Sequence, residues 1–283
     1  MKFSILGPIT MYTNTGMTVE LAGPRQRFVL VALLLNANRV VTVDHLMESA
    51  WNKPPPSATV NIRGHIAALR KLMHAAGEPK DRLVTHDNGY LLRLSPGELD
   101  LSHFMDEFQQ GNEYLADGMA ERAVGHFQQA LEIWQGSPLE GISVGPFLRA
   151  DLERLEEIRL LAVEHYAQAR LDVGQSDALI PGLRSLTQRH PFRERYWEML
   201  ITALYRMGRQ AEALATYARV RRLLMDELGI DPMDRLQRLE EQILRGDLDD
   251  RPTAVEHAPP RIRVPHRVGV GRPALAIPWG ISR

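Results

Sequence analysis

The segment from Pro54 to Met73, PPPSATVNIRGHIAALRKLM, constrains the fold more strongly than the rest of the chain. Three prolines end one element, and the residues that follow have helical spacing. Large apolar side chains recur at intervals of four, three and four residues, at Ile62, Ile66, Leu69 and Met73. At about 100° per residue, these positions form one edge of a helix. The segment therefore predicts a helix that buries one side and begins at Ser57, whose hydroxyl is a suitable N-cap.

The opposite side of this predicted helix differs from an ordinary surface, which would carry Glu and Lys. Small side chains occupy its centre, amide, imidazole and guanidinium groups occupy its rims, and no acidic residue occurs between Ser57 and Ala76. The residues on this side are Val60, Asn61, Arg63, Gly64, His65, Ala67, Ala68, Arg70 and Lys71. Such a surface suits the DNA major groove, which is about 12 Å wide and admits a helix. A core helix with incidental arginines has the same pattern, so the helix alone does not distinguish a DNA-binding role from a structural one. The neighbouring segments provide that distinction.

The neighbouring segments predict a winged helix-turn-helix. Three short strands come first (KFSILG, PITMYT and MTVELAG), with a turn at 14–16 between the last two. A buried helix begins near Pro24, and a second short helix has Thr42 or Asp44 as its cap. After the quoted helix, RLVTHDNGYLLRLS predicts two strands joined by a turn at 87–89. In this order the third helix enters the groove and the final hairpin is the wing.

The whole chain is predicted to be mainly α with a small β part. Residues 1–96 form the winged helix-turn-helix, with its N-terminal β-sheet and its C-terminal hairpin. Residues 97–246 form an all-α tetratricopeptide-like domain, because small and apolar residues recur at the offsets of that repeat within 118–130 and 197–220. Helical stacks of this kind bind proteins. Residues 247–283, which contain Pro and Arg, are predicted to be a disordered basic tail.

Charge divides the chain in a similar way. Residues 1–100 hold 11 basic and 8 acidic residues (net +3), residues 101–250 hold 17 and 26 (net −9), and residues 251–283 hold 6 and 1 (net +5). A basic front and an acidic middle suit a DNA-binding domain joined to a protein-interaction domain. The chain has no cysteine, no apolar run of membrane-helix length and no common catalytic motif. We therefore expect a cytoplasmic, nucleoid-associated protein that is not an enzyme and uses no cofactor or metal.

Several short motifs occur in the order found in one known family. They are the opening LGP, the Trp that ends the second helix, the prolines after it, LRK late in the third helix, NGYLL in the wing and ELGIDP after the long helical region. Over about residues 1–246 the chain resembles the Streptomyces antibiotic regulatory protein (SARP) family, which joins a winged helix to a bacterial transcriptional activation domain. The resemblance implies a sequence-specific activator of a secondary-metabolite (antibiotic) gene cluster. It also implies a dimer on direct repeats in promoter DNA and recruitment of the RNA polymerase holoenzyme.

The resemblance further implies DNA contacts for eight residues. Asn61 and His65 match positions that face base edges, and asparagine suits adenine. The other matching residues are expected at phosphates, at the groove rim or, in the wing, near the minor groove; the full set is Arg25, Asn61, Arg63, His65, Arg70, Lys71, Asn88 and Tyr90. A core position is the alternative for Tyr90. His86 and Asp87 depart from the family pattern, because an Arg often occurs there.

The loop Asn52, Lys53, Pro54, Pro55 and Pro56 matches the family loop that touches RNA polymerase. A stiff connector is the alternative, because prolines reduce the conformational entropy of a loop. For the whole protein, the alternative function is a tetratricopeptide-type protein-interaction adaptor without sequence-specific DNA binding. The small net charge of the front domain and the acidic wing residue keep this alternative open. A ligand held in the helical domain would modify the first function and would not replace it.

Overall fold

The computed structural model describes residues 1–142 and 146–248. Within these residues, no helix is both long enough and apolar enough to cross a membrane. The tail predicted for 247–283 lies outside the described residues, apart from its first two positions.

The chain begins with an antiparallel sheet of three short strands. They are β1 (Lys2–Ser4), β2 (Thr10–Tyr12) and β3 (Thr18–Val19), in that spatial order. The turn between β2 and β3 contains Gly16 with a φ of 84°, a conformation that favours glycine. The predicted N-terminal sheet is therefore present, with strands shorter than the quoted segments.

Asp100 joins this sheet to the first helix of the following region. Its carboxylate accepts hydrogen bonds from the backbone N–H groups of Ile5 (2.8 Å) and Leu6 (2.9 Å) and from the Ser4 hydroxyl (2.7 Å). Burial raises the pKa of Asp100, and these hydrogen bonds act in the opposite direction. The end of β1 is thus attached to the start of the helix by a partly buried carboxyl group.

The next elements form the predicted winged helix-turn-helix. In chain order they are α1 (Pro24–Leu35), β4 (Val40–Thr42), α2 (Val43–Ala50), α3 (Ala58–Ala75), β5 (Leu83–His86) and β6 (Gly89–Leu92). The helix start at Pro24 is confirmed, and the Thr42 hydroxyl caps α2 by accepting from the His45 N–H at 3.2 Å. Strand β4 was not predicted. It pairs with β6, so the wing belongs to a three-stranded antiparallel sheet of order β4-β6-β5.

The apolar edge of α3 lies in the core of this domain. Ile62, Ile66, Leu69 and Met73 are all between 0 and 2% exposed. Helix α1 is apolar on nearly all sides and belongs to the same core cluster. Full burial of such side chains stabilises a protein by about 1.5–3 kcal/mol each. The position of α3 is therefore determined by one row of buried side chains.

The remaining described elements are helices. They are α4 (Asp100–Ala116), α5 (Ala120–Glu132), α6 (Pro146–Asp172), α7 (Ile180–Arg189), α8 (Glu194–Arg206), α9 (Gln210–Leu228) and α10 (Asp234–Arg245). The residues at the repeat offsets within 197–220 are buried, and so are three apolar residues of α10: Trp197, Leu200, Ile201, Leu204, Ala213, Tyr217, Val220, Leu236, Leu239 and Ile243. Helix α9 ends at Gly229 with a φ of 68°, a conformation that favours glycine. The predicted fold class, mainly α with a small β part, is confirmed.

The described residues divide into two compact units. The first contains residues 1–107, 129–142 and 146–159, and the second contains 108–128 and 160–248. Helices α4, α5 and α6 each contribute residues to both units. The domain limits predicted from the sequence stay a prediction.

Close helix packing in the second unit depends on Gly111. A Cβ atom at this position would lie 2.5 Å from the Phe127 ring, whereas a Cβ at Gly125 would have no atom of the described residues within 4 Å. We expect Gly111→Ala to destabilise the protein by about 1–3 kcal/mol, because the ring must move. Gly125→Ala is the matched control and should stabilise by up to about 1 kcal/mol through helix propensity. Urea unfolding of both variants measures the difference, and equal effects would contradict this packing.

Candidate nucleic-acid interface

The exposed side of α3 has a nearly flat centre. Val60 is 67% exposed, and Gly64, Ala67, Ala68 and Lys71 are exposed with it. Among the residues that the structure describes, no atom lies within 4 Å of the position that a Cβ of Gly64 would occupy. The glycine therefore satisfies no packing requirement inside the domain, and it exposes the helix backbone to any surface that approaches α3.

Asn61 lies on this exposed side, in the first turn of α3. The predicted capping bond of Ser57 is wrong: Ser57 occupies the N-cap position, but its side chain makes no capping hydrogen bond. Its hydroxyl instead accepts from Nδ2 of Asn61 at 3.3 Å. Pairing of Asn61 with adenine would use both the amide nitrogen and the amide oxygen, so this long bond must open on binding.

His65 belongs to a cluster with Arg25 and Trp51. The Arg25 guanidinium lies over the Trp51 ring at 5.6 Å, and the Trp51 and His65 ring centroids are 6.5 Å apart. Burial of the imidazole, followed by repulsion from the Arg25 guanidinium, lowers the pKa of His65 from 6.5. At neutral pH, His65 is therefore an uncharged hydrogen-bonding group. Arg25 remains exposed at the first turn of α1.

Arg70 connects α3 to the wing. Its Nε donates to the Leu83 carbonyl oxygen at 2.8 Å, and its Nη2 donates to the Thr85 hydroxyl at 2.8 Å. The guanidinium also lies over the Tyr90 ring at 5.8 Å. Two of its donors are thus used within the domain, and Arg70 determines the position of the hairpin relative to α3. Arg63 and Lys71, in contrast, have exposed side chains.

Tyr90 requires a correction to the predicted set. It is 7% exposed and belongs to the hydrophobic core, so the core alternative is the one observed. Its position in β6 alternates with Leu91, which faces the other side of the strand. Asn88 is exposed in the two-residue turn of the hairpin, beside Asp87 and His86.

The wing hairpin is confirmed, but its turn does not have the backbone conformation expected of an Asn-Gly turn. Neither Asp87 nor Asn88 has a positive φ, which the common Asn-Gly turn requires. Gly89 is needed because β4 passes very close: a Cβ at Gly89 would overlap the carbonyl oxygen of Val41. The glycine permits close approach of a neighbouring strand, a requirement that only the unpredicted β4 explains.

A buried network that sequence reasoning missed holds the segment between α3 and β5. The Arg82 guanidinium lies 3.2 Å from Glu78 and 2.7 Å from Glu98, and the Met1 amino group lies 2.8 Å from Glu78. The spacing of Glu78 and Arg82 is the one local signal for it in the sequence. Loss of a single partner would leave a buried charge, so the base of the wing is firmly fixed.

The loop before α3 is largely open to solvent. Asn52, Lys53, Pro54 and Pro56 are exposed and Pro55 is half-buried. The Pro55 carbonyl oxygen accepts from the Ala58 N–H at 2.9 Å, which connects the loop to the start of α3. Its predicted contact with RNA polymerase stays a prediction.

Two family models match the chain. The model described as "Bacterial transcriptional activator domain" matches residues 99–244, and "Transcriptional regulatory protein, C terminal" matches residues 17–92. The first ends before the tail, and the second covers α1, α2, α3 and the wing.

Similar proteins include regulators from two genera. Regulatory protein AfsR of Streptomyces coelicolor is 39% identical over 87% of this chain and 24% of its own length. Regulatory protein DnrI of Streptomyces peucetius is 36% identical over 87% of this chain and 93% of its own length. Transcriptional regulatory protein EmbR of Mycobacterium tuberculosis is 39% identical over 87% of this chain, which spans 63% of that protein. A structure titled "Mycobacterium tuberculosis EmbR in complex with low affinity phosphopeptide" matches with a TM-score of 0.85 and 38% identity, over 89% of this chain and 67% of that one.

The lowered pKa of His65 predicts a pH dependence of stability. Between the lowered pKa and 6.5, the unfolded chain binds a proton that the folded chain does not, so the free energy of unfolding falls as the pH decreases. We expect His65→Gln to lose less stability than the unmodified protein between about pH 7.5 and pH 5.5. Arg25→Gln should have an intermediate effect, since it removes the smaller cause. Urea titrations at several pH values measure this, and parallel curves for all three proteins would contradict it.

Proposed function

The chain belongs to the Streptomyces antibiotic regulatory protein family of transcriptional activators, and we propose that it activates a secondary-metabolite gene cluster by binding direct repeats in promoter DNA. This family is one of transcriptional regulators, which is not an enzyme class. The chain spans 24% of AfsR and 63% of EmbR, so the activities of those longer proteins do not transfer as a whole. Regulation of an antibiotic cluster is supported by the resemblance to the Streptomyces regulators.

The observation that carries the proposal is the exposed side of α3. A helix whose position is set by four buried side chains presents a non-acidic surface with Gly64 at its centre. An exposed glycine within a helix costs about 1 kcal/mol relative to alanine. Close approach of another surface explains why this position holds glycine.

In the proposed complex, α3 enters the major groove, and its residues contact either base edges or the phosphate backbone. Asn61 and neutral His65 donate to or accept from base edges. Arg63, Lys71 and Arg25 contact phosphates, and exposed Asn88 lies near the adjacent minor groove. Arg70 sets the angle of the wing, and Tyr90 supports it from the core.

The remaining parts of the proposal concern assembly and polymerase. Two protomers bind adjacent repeats, and the exposed loop 52–56 contacts the RNA polymerase holoenzyme. The helical region 97–246 orients the second copy or contacts polymerase, as tetratricopeptide-like stacks bind proteins. The solvent exposure of the loop and the matched activator domain support this assignment.

The alternative function is a protein-interaction adaptor without sequence preference on DNA. Asp87, exposed at the wing tip, favours this alternative because it repels phosphates. Selection of genomic fragments by the purified protein distinguishes the two functions. We expect a recurring direct repeat, bound far more tightly than a scrambled fragment at physiological salt. Equal and steeply salt-dependent binding to both would mean phosphate attraction alone and would favour the adaptor.

Substitution of Gly64 should affect the stability of α3 and its DNA affinity in opposite directions. We expect Gly64→Ala to stabilise α3 by about 0.5–1 kcal/mol while it weakens binding of the selected fragment by on the order of tenfold, because the added methyl group meets the DNA. Ala68→Gly is the matched control, which should lose stability without obstructing DNA. Thermal unfolding and fluorescence anisotropy measure the two effects. Unchanged DNA affinity in Gly64→Ala would contradict close approach at this position.

Substitution of Asn61 should change the specificity of DNA binding, whereas substitution of Lys71 should change the affinity for all DNA fragments. Asn61→Ala is expected to cost about 1–3 kcal/mol on the selected fragment and little on a scrambled one, because it contacts a base. Lys71→Ala is expected to weaken binding to both fragments by a similar factor, because it contacts a phosphate. Anisotropy titrations of both variants on both fragments test these expectations. If Asn61→Ala weakened binding to the two fragments equally, Asn61 would not contact a base.

A further inference from the structure

A cleft of about 330 Å³ opens between the C-terminal half of α3 and the segment that leads into β5. Its apolar lining consists of Met73, Pro79 and Leu83, of which Pro79 is exposed and the other two are buried. Basic side chains make up the rest of the lining, and no acidic side chain takes part. The cleft shares Lys71 with the exposed side of α3.

The basic side chains of the cleft fall into two groups. Arg70 is held by β5, and Arg82 is held by the carboxylates of Glu78 and Glu98, so both guanidinium groups are already bound within the domain. Lys71, His74 and Lys80 are exposed, and their side chains make no hydrogen bond or ion pair with another residue in the part of the chain that the structure describes. These three side chains are available to an external anion.

The length of α3 places the cleft at the edge of a groove. At about 1.5 Å per residue, the axial distance from Asn61 to His74 is about 20 Å, whereas the major groove is about 12 Å wide. If the first turns of α3 contact base edges, its last turns extend beyond the groove. The surface that they meet there is the sugar–phosphate backbone.

We propose that this cleft binds the sugar–phosphate backbone of one DNA strand, with Lys80 and Lys71 as phosphate contacts. The deoxyribose carbons lie against the exposed Pro79 ring, and the ammonium groups at the rim neutralise the phosphates. The inference rests on the proposed function and extends it, because Lys80 lies outside both α3 and the wing strands. Contacts of this kind carry no sequence information and fix the register of the protein on the duplex.

The test compares Lys80→Ala with a matched control, Lys2→Ala, an exposed lysine in β1. Affinities for the selected and scrambled fragments are measured over a salt series by anisotropy. We expect Lys80→Ala to make the slope of log K against log salt less negative by about 0.9, with a loss on the order of tenfold at 0.1 M salt on both fragments. Lys80→Arg should restore the slope, and Lys2→Ala should leave it unchanged.

An unchanged slope for Lys80→Ala would overturn the cleft assignment, and it would leave the proposed function intact if Asn61→Ala still weakens specific binding. Absence of specific binding by the unmodified protein would instead remove the proposed function, while the slope on the scrambled fragment still tests the cleft. Thermal unfolding with inorganic pyrophosphate distinguishes a second source of phosphate. A stabilisation that Lys80→Ala abolishes, with DNA binding unaffected, would assign the cleft to a free phosphorylated compound and overturn the DNA assignment.

Discussion

Burial of one apolar edge of α3 is the interaction on which the candidate interface depends. Ile62, Ile66, Leu69 and Met73 are enclosed by the core around α1, so the helix cannot rotate without exposing them. The opposite side is thereby fixed in direction, together with Asn61 and Gly64. Hydrophobic burial, which has no chemical specificity of its own, decides which polar groups face outward.

Hydrogen bonds and ion pairs then fix the wing relative to this helix. Arg70 joins α3 to two positions of β5, and Arg82 joins the segment before β5 to Glu78 and Glu98. Both arginines count as basic residues in the sequence, yet their guanidinium groups are occupied within the domain. Glu78, Glu98 and Asp100 are likewise directed inward, so the net charge of residues 1–100 hardly changes when these five groups are left out: 9 basic and 5 acidic residues remain, a net charge of +4. Local charge along α3 is the better guide to DNA affinity.

The features that were predictable from sequence have local causes. The spacing of Ile62 to Met73 predicts the helix and its buried edge, and the repeat offsets predict the burial of Trp197 and Tyr217. The features that were not predictable depend on residues distant in the chain. Strand β4 is too short to have a pattern of its own and exists because it pairs with β6. The contacts of Arg70 with Leu83 and Thr85, and the burial of Tyr90, follow from the packed hairpin and not from their neighbours in sequence.

The most direct test of the account is the response of backbone amide resonances to the selected DNA fragment. Binding through α3 predicts large chemical-shift changes at Val60, Gly64 and Lys71, with no change at Ala215 on α9, an exposed position in the second unit. The same titration with a scrambled fragment should give smaller changes that disappear at high salt. Changes confined to the second unit, with the α3 resonances unmoved, would contradict the claim that the exposed side of this helix is the DNA-binding surface.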